Sequence, residues 1–179
     1  RSLGAIQPGR AGTREQYFVG FAPDASEEVF VRELRYVKRL FDERFGTAGR
    51  SIALASSNTA LEELPIGSVT NLARALERVG RAMNADEDVL VLYITAHGGR
   101  EHRLSVSQPP LELALLTPTA LARMLHDSGV KWRVVVVSAC YSGGFVEPLR
   151  DDNTIVITAS ATDRASFGCE GGRDFTYFG

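Results

Sequence analysis

The chain has 179 residues, 44% of them hydrophobic and 23% charged, the proportions of an ordinary globular domain with a substantial core. A formal net charge of -2 supplies no broad basic field, which argues against nucleic acid or an anionic membrane surface as a partner. Two cysteines are too few for a disulfide framework, neither lies in a CxxC pair, and no apolar run approaches the roughly 20 residues of a membrane span.

In chain order, residues 1–14 are rich in Gly, Pro and Arg without a period and read as a loose arm ahead of one domain over 15–179. Tyr17–Phe21 reads as a first strand, broken by Pro23 and Asp24. Ser26, Glu27 and Glu28 open a helix whose Phe30, Leu34, Val37 and Phe41 recur at helical spacing, with Gly46 at its far end. Ser51–Ala55 is a second strand. Ser68 caps a helix bearing Val69, Leu72, Leu76 and Val79, stopped by Gly80. Val89–Ile94 is a third strand, apolar throughout, as a strand covered on both faces should be. Leu104 and Val106, then Leu111, Leu113 and Leu115, alternate around Gln108-Pro109-Pro110 and predict a small hairpin. Thr117 and Pro118 open another helix that Gly129 closes. Val134–Val137 and Thr154–Thr158 are the fourth and fifth strands, with room between them for only a brief helix. Strands alternating with helices predict an α/β domain: a mainly parallel sheet, helices on both faces, right-handed crossovers.

In such sheets functional groups gather beyond the carboxyl ends of the strands. The third strand runs into "TAHGG" (Thr95–Gly99) and the fourth into "SACYSGG" (Ser138–Gly144). If those strands are neighbours, His97 and Cys140 stand side by side. A thiol held at a strand tip can attack a carbonyl, and an imidazole beside it can take the thiol proton and return it to a leaving amine. The backbone N–H groups of Gly98 and Cys140 would face the developing oxyanion. Taken singly, a cysteine after a valine strand is an inert buried thiol more often than not, and a histidine before glycines is commonly structural; the matched pair is the specific signal.

Other chemistries fit less well. Val146 stands where a cysteine phosphatase loop would carry arginine. The G-x-S-x-G elbow and the phosphate-binding G-x-x-x-x-G-K-[ST] loop are both absent from the sequence. His97, His102 and Cys140 do not have zinc-site spacing, so no metal is expected. His102 reads as a surface residue of the hairpin, and His126 as a residue near a helix end, where positive charge is favourable.

"YITAHGG" (Tyr93–Gly99) and "SACYSGG" resemble the histidine and cysteine motifs of the legumain family of cysteine peptidases, in the caspase-like clan. Within Ile157–Gly179, Ser166, Phe167 and Cys169 line up with a Ser-aromatic-x-Cys run, and Thr176, Tyr177 and Gly179 with a Thr-Tyr-x-Gly run. The likeness spans most of Tyr17–Gly179 and is nearest to bacterial members. It implies a caspase-like three-layer sandwich, a His97–Cys140 dyad, peptide-bond cleavage through a thioester, and no metal or organic cofactor. A peptide or protein would be the substrate; oligomeric state stays open. It also implies that Ser160 and its neighbours line the specificity pocket, and that Cys169 is a packing cysteine.

Some positions depart from the family. Asparagine-specific legumains carry an Asn and an Arg-His pair after the first strand, where this chain has "FAPDASEE"; Asp24 is the nearest substitute. An acidic residue two before their cysteine is Ser138 here. Asparagine preference is therefore not carried over. Ser138, Ser160, Asp163 and Asp174 are the candidate substrate-binding residues, with the acids, together with Glu170, suited to a basic side chain. Two rival readings share the motifs: a transamidase or transpeptidase of the same family, in which an amine attacks the thioester, and a peptide-binding scaffold without activity. Compartment is open, since export or tethering would depend on a segment outside this sequence.

Overall fold

The computed structural model describes residues 5–59, 63–166 and 176. Its centre is a five-stranded, wholly parallel sheet in the order β2-β1-β3-β4-β5, formed by β1 (Gln16–Ala22), β2 (Ser51–Ala55), β3 (Val89–Thr95), β4 (Trp132–Ser138) and β5 (Thr154–Thr158). The helices are α1 (Glu28–Arg44), α2 (Val69–Ala82), α3 (Pro118–Asp127) and the single-turn α4 (Val146–Leu149), preceded by a 3-10 turn over Ser142–Phe145.

Each helix lies on the face its apolar stripe dictates. Phe30 and Leu34 of α1 pack with Phe18, Val91 and Tyr93 on one face of the sheet. Leu72, Leu76 and Val79 of α2, Leu121 and Leu125 of α3, and Leu149 of α4 pack with Tyr17, Val19, Leu90 and Leu92 on the other. The three layers expected from the alternating pattern are therefore present, and β1 and β3, at the centre, are covered on both sides. No helix among the described residues is long and apolar enough to cross a membrane.

Local chemistry sets the helix ends. Ser68 Oγ accepts from the Asn71 amide at 3.2 Å, and Thr117 Oγ1 from the Ala120 amide at 3.2 Å, so both expected caps form. Ser26 does not cap α1; its own amide donates to Asp24 Oδ1, and the helix starts after Glu27. Gly80 does not stop α2, which continues to Ala82. A Cβ at Gly80 would lie 1.9 Å from the Ser128 carbonyl oxygen, so this glycine admits the chain leaving α3 rather than ending its own helix.

Two further expectations change. The segment after β3 is not a continuous hairpin ladder: Leu104 and Leu116 exchange backbone hydrogen bonds of 2.9 and 3.2 Å, and Gln108 bridges to Leu111 across a cis Pro109–Pro110 bond. The arm, expected to be loose, is tied to the base of the sheet from Gln7 onward. The Gln7 and Gly9 amides donate to the carbonyls of Gly49 and Ala82, and Arg10 pairs with Glu15 at 2.9 Å.

Beyond β2, Glu28 at the start of α1 gathers the returning loop, accepting from Ser57 Oγ, Thr59 Oγ1 and the Asn58 amide at 2.9, 2.7 and 3.1 Å. Burial alone would raise the Glu28 pKa. The hydrogen bonds and the Arg32 charge outweigh it and hold the carboxyl below its ordinary 4.5. A group depressed in the folded state contributes stability that is complete above its unfolded pKa and lost as pH falls through the folded one. The denaturation midpoint should therefore fall between about pH 5 and about pH 3, and Glu28→Gln should flatten part of that slope. An identical acid slope in the variant would remove Glu28 from the account.

Candidate active site

β3 and β4 are neighbours, paired in parallel from Val89↔Trp132 to Thr95↔Ser138. His97 and Cys140 each lie two residues beyond that last pair, so equal strand length and register bring them out at one point on the sheet's carboxyl edge. The Ala96 amide continues the pairing by donating to the Ser138 carbonyl at 3.2 Å. Past it the backbones touch: a Cβ at Gly98 would lie 2.0 Å from the Cys140 carbonyl oxygen. Glycine is required here by close approach, since no side chain fits between the two loops.

The imidazole of His97 is half-buried and stands edge-on against Phe30 of α1, ring centroids 5.0 Å apart and planes at 89°. Phe30 is fully buried. The sequence shows it only as one member of the helix stripe, with nothing to mark it as the wall behind the histidine.

Gly98 pairs with Leu104 as an antiparallel bridge whose hydrogen bonds run from Gly99 N to Arg103 O and from Ser105 N to His97 O. Gly98 thus occupies a non-hydrogen-bonded position, and the bridge leaves its N–H unused. Among the described residues the Cys140 amide also meets no acceptor.

Cys140 is half-buried and is a free cysteine. Ser166 folds over its sulfur: the Ser166 amide donates to Sγ at 3.3 Å, and the Ser166 carbonyl and hydroxyl oxygens each lie at 3.6 Å. In the sequence Ser166 stands out only as part of a run that resembles the family's Ser-aromatic-x-Cys segment.

The other candidates are placed as follows. Ser138 is 3% exposed and its hydroxyl meets that of Thr176 at 3.3 Å. Ser160 Oγ donates to the Ala139 carbonyl at 3.0 Å and accepts from the Ser142 amide at 3.1 Å, so this hydroxyl holds the turn after Cys140 in shape. Asp163 is exposed. Asp174, Cys169 and Glu170 lie outside the described residues. Asp24 is buried at the end of β1, its carboxylate engaged by the Ser26 amide at 3.0 Å. His126 is exposed beside Asp127 at the end of α3.

His102 is not the surface residue expected. Its half-buried ring lies against the Gly144 backbone, and Nδ1 stands 2.9 Å from the Tyr141 carbonyl oxygen. His102 and Tyr141, at φ 58° and 55°, are the two non-glycine residues with left-handed backbone among those described. Each such conformation costs about 1–3 kcal/mol and persists only where the surroundings enforce it.

Beneath the site, Glu33 of α1 is fully buried. It accepts from the Tyr93 hydroxyl and, at 2.8 Å, from the Thr176 amide. Burial, then the Glu33 charge, push the Tyr93 pKa well above the ordinary tyrosine range, which keeps its hydroxyl a donor. Glu33→Gln turns one acceptor into an N–H group facing a donor. It should lower unfolding free energy by about 1–3 kcal/mol in urea titration. An unchanged midpoint would mean the network carries no stability.

Among the described residues no cluster of histidine, cysteine, aspartate and glutamate is arranged to hold a metal ion. A parallel five-stranded sheet between two layers of helices is a caspase-like fold. The crystal structure of caspase-1 from Spodoptera frugiperda aligns with a TM-score of 0.56 at 11% identity, over 98% of this chain and 73% of that one, a likeness that establishes the fold. The sequence model of the Peptidase C13 family, the legumain family, matches residues 67–179, and the chain belongs to that family. The match includes both strand-end motifs; β1, α1 and β2 precede it. No curated protein sequence matches the chain. Family and fold together suggest a cysteine peptidase, acting on peptide or protein substrates.

Proposed function

We propose that the protein is a cysteine endopeptidase, a bacterial member of its family by sequence likeness, with Cys140 as nucleophile and His97 as acid and base. The observation that carries this reading is the register of β3 against β4, with the Gly98 backbone closed onto Cys140. His97 takes the thiol proton as Sγ bonds to the scissile carbonyl carbon. The oxyanion is met by the Gly98 and Cys140 amides. Collapse breaks the C–N bond, and His97 passes the proton to the departing amine, leaving a thioester. Water then attacks the thioester; His97 takes its proton and returns it to sulfur as the acid leaves. No metal or organic cofactor takes part in these steps.

Beyond His97 an open depression of about 460 Å3 is lined by Gly98, Gly99, Arg100, Arg103 and Leu115. It offers room for the peptide on the leaving side. On the acyl side, the hydroxyls of Ser138 and Ser160 are already engaged within the protein, and the exposed Asp163 is the described acid suited to a basic residue, with Asp174 a candidate from the sequence alone.

The test is incubation with a mixed peptide library, with and without an added amine, alongside Cys140→Ala. New carboxyl termini made by the wild type alone support the peptidase. Amine-capped products would replace this reading by transamidation. Binding without product, equal in the variant, would replace it by a scaffold.

A further inference from the structure

We propose that His102 is a positioning residue that locks the loop carrying His97 to the turn carrying Cys140. The inference rests on the peptidase reading for its effect on turnover, but its geometry is independent of substrate. A carbonyl oxygen only accepts, so at 2.9 Å from Tyr141 O the Nδ1 of His102 carries the hydrogen. The same oxygen also accepts from the Gly144 amide at 3.3 Å. Both lone pairs of the carbonyl immediately after Cys140 are thereby directed, one of them from the opposite loop.

Five other contacts make this a clamp rather than a single bond. His102 is itself held by a turn in which its amide donates to the Gly99 carbonyl at 2.9 Å and the Gly99 amide donates to the Arg103 carbonyl at 3.0 Å. Its ring occupies the space above Gly144, where a Cβ would come within 2.1 Å of Cγ. The Arg100 guanidinium lies 5.6 Å from the centre of the Tyr141 ring, and the Tyr141 amide donates to the Arg164 carbonyl at 2.9 Å. Tyr141 thus joins three loops, and the two non-glycine residues with left-handed backbone among those described are the pair bonded across the site. Strain concentrated on both sides of one hydrogen bond is the mark of an over-determined geometry.

The test compares His102→Asp and His102→Asn. Both side chains are short and tolerate left-handed backbone, but only asparagine offers an N–H where Nδ1 stood. A misplacement of about 1 Å at a reacting group costs on the order of 100-fold in rate. His102→Asp should lower kcat about 10- to 100-fold with KM little changed, and His102→Asn should restore most of the loss. Gly144→Ala, whose methyl group would enter the ring's space, should lose kcat in the same way with the His102 side chain itself unchanged. The second readout is the time course of Cys140 alkylation by iodoacetamide at one fixed pH, which needs no substrate. In His102→Asp the rate should change several-fold as the turn carrying the thiol loosens, and in His102→Asn stay with the wild type. Wild-type alkylation and turnover in His102→Asp, or equal losses in the asparagine and aspartate variants, would overturn the clamp. If the wild type cleaves no peptide while the alkylation rates divide as stated, the peptidase reading falls and the clamp stands.

Discussion

Cys140→Ala should reduce peptide cleavage by at least about 1,000-fold, because no other group supplies the electron pair that forms the thioester. Its unfolding free energy should stay within about 1 kcal/mol of the wild type, since the sulfur is half-buried and its partners on Ser166 can turn to water. His97→Ala should cost about 100- to 10,000-fold, the usual worth of a general acid and base. It should also lose about 0.5–1.5 kcal/mol of stability through the edge-on contact with Phe30. The two losses should not add: a chain lacking both groups should retain nearly the activity of Cys140→Ala alone, because the pair acts as one unit. Fluorogenic peptide turnover and urea denaturation measure all of this. Substantial cleavage by Cys140→Ala would assign the chemistry elsewhere.

Gly98→Ala should lose both stability and turnover through one added methyl group. Its Cβ would lie 2.0 Å from the Cys140 carbonyl oxygen and 3.1 Å from the carbonyl carbon, both backbone atoms that cannot rotate away. The loops must part, at a cost of about 1–3 kcal/mol. Parting them also moves one oxyanion donor away from the thiol, for a further loss on the order of 100-fold in kcat. The neighbouring glycine is the control. At Gly99 the nearest atom to a new Cβ is the Arg103 carbonyl oxygen at 3.8 Å, ordinary contact. Gly99→Ala should therefore fold and turn over within a few-fold of the wild type. If the two variants behave alike, closeness of the loops does not matter to the reaction.

Local pattern along the chain specifies the elements and the layers. Period and capping chemistry placed β2 and β5 at their observed bounds and marked Ser68 and Thr117 as helix starts. Alternation of strand and helix implied a parallel sheet with helices on both faces, and the two strand-end motifs singled out His97 and Cys140 before any neighbour was known. These features are local: an apolar residue every second or every third and fourth position reports which side of its own element is buried, and a cap acts within one turn.

Only the tertiary structure decided which groups meet. The adjacency of β3 and β4, on which the site depends, is made across a crossover of more than thirty residues that carries α3. Phe30 became the wall behind His97 because α1 packs on the same face of β1 and β3, although its spacing is that of any core residue. Gly80 was required by the Ser128 carbonyl of another segment rather than by the end of its own helix. His102 turned inward because a left-handed turn aimed its ring at Gly144 and Tyr141, a direction that polar surface composition does not encode. Contacts between residues distant in the chain depend on the shape of both partners at once, and a one-dimensional pattern records only one of them.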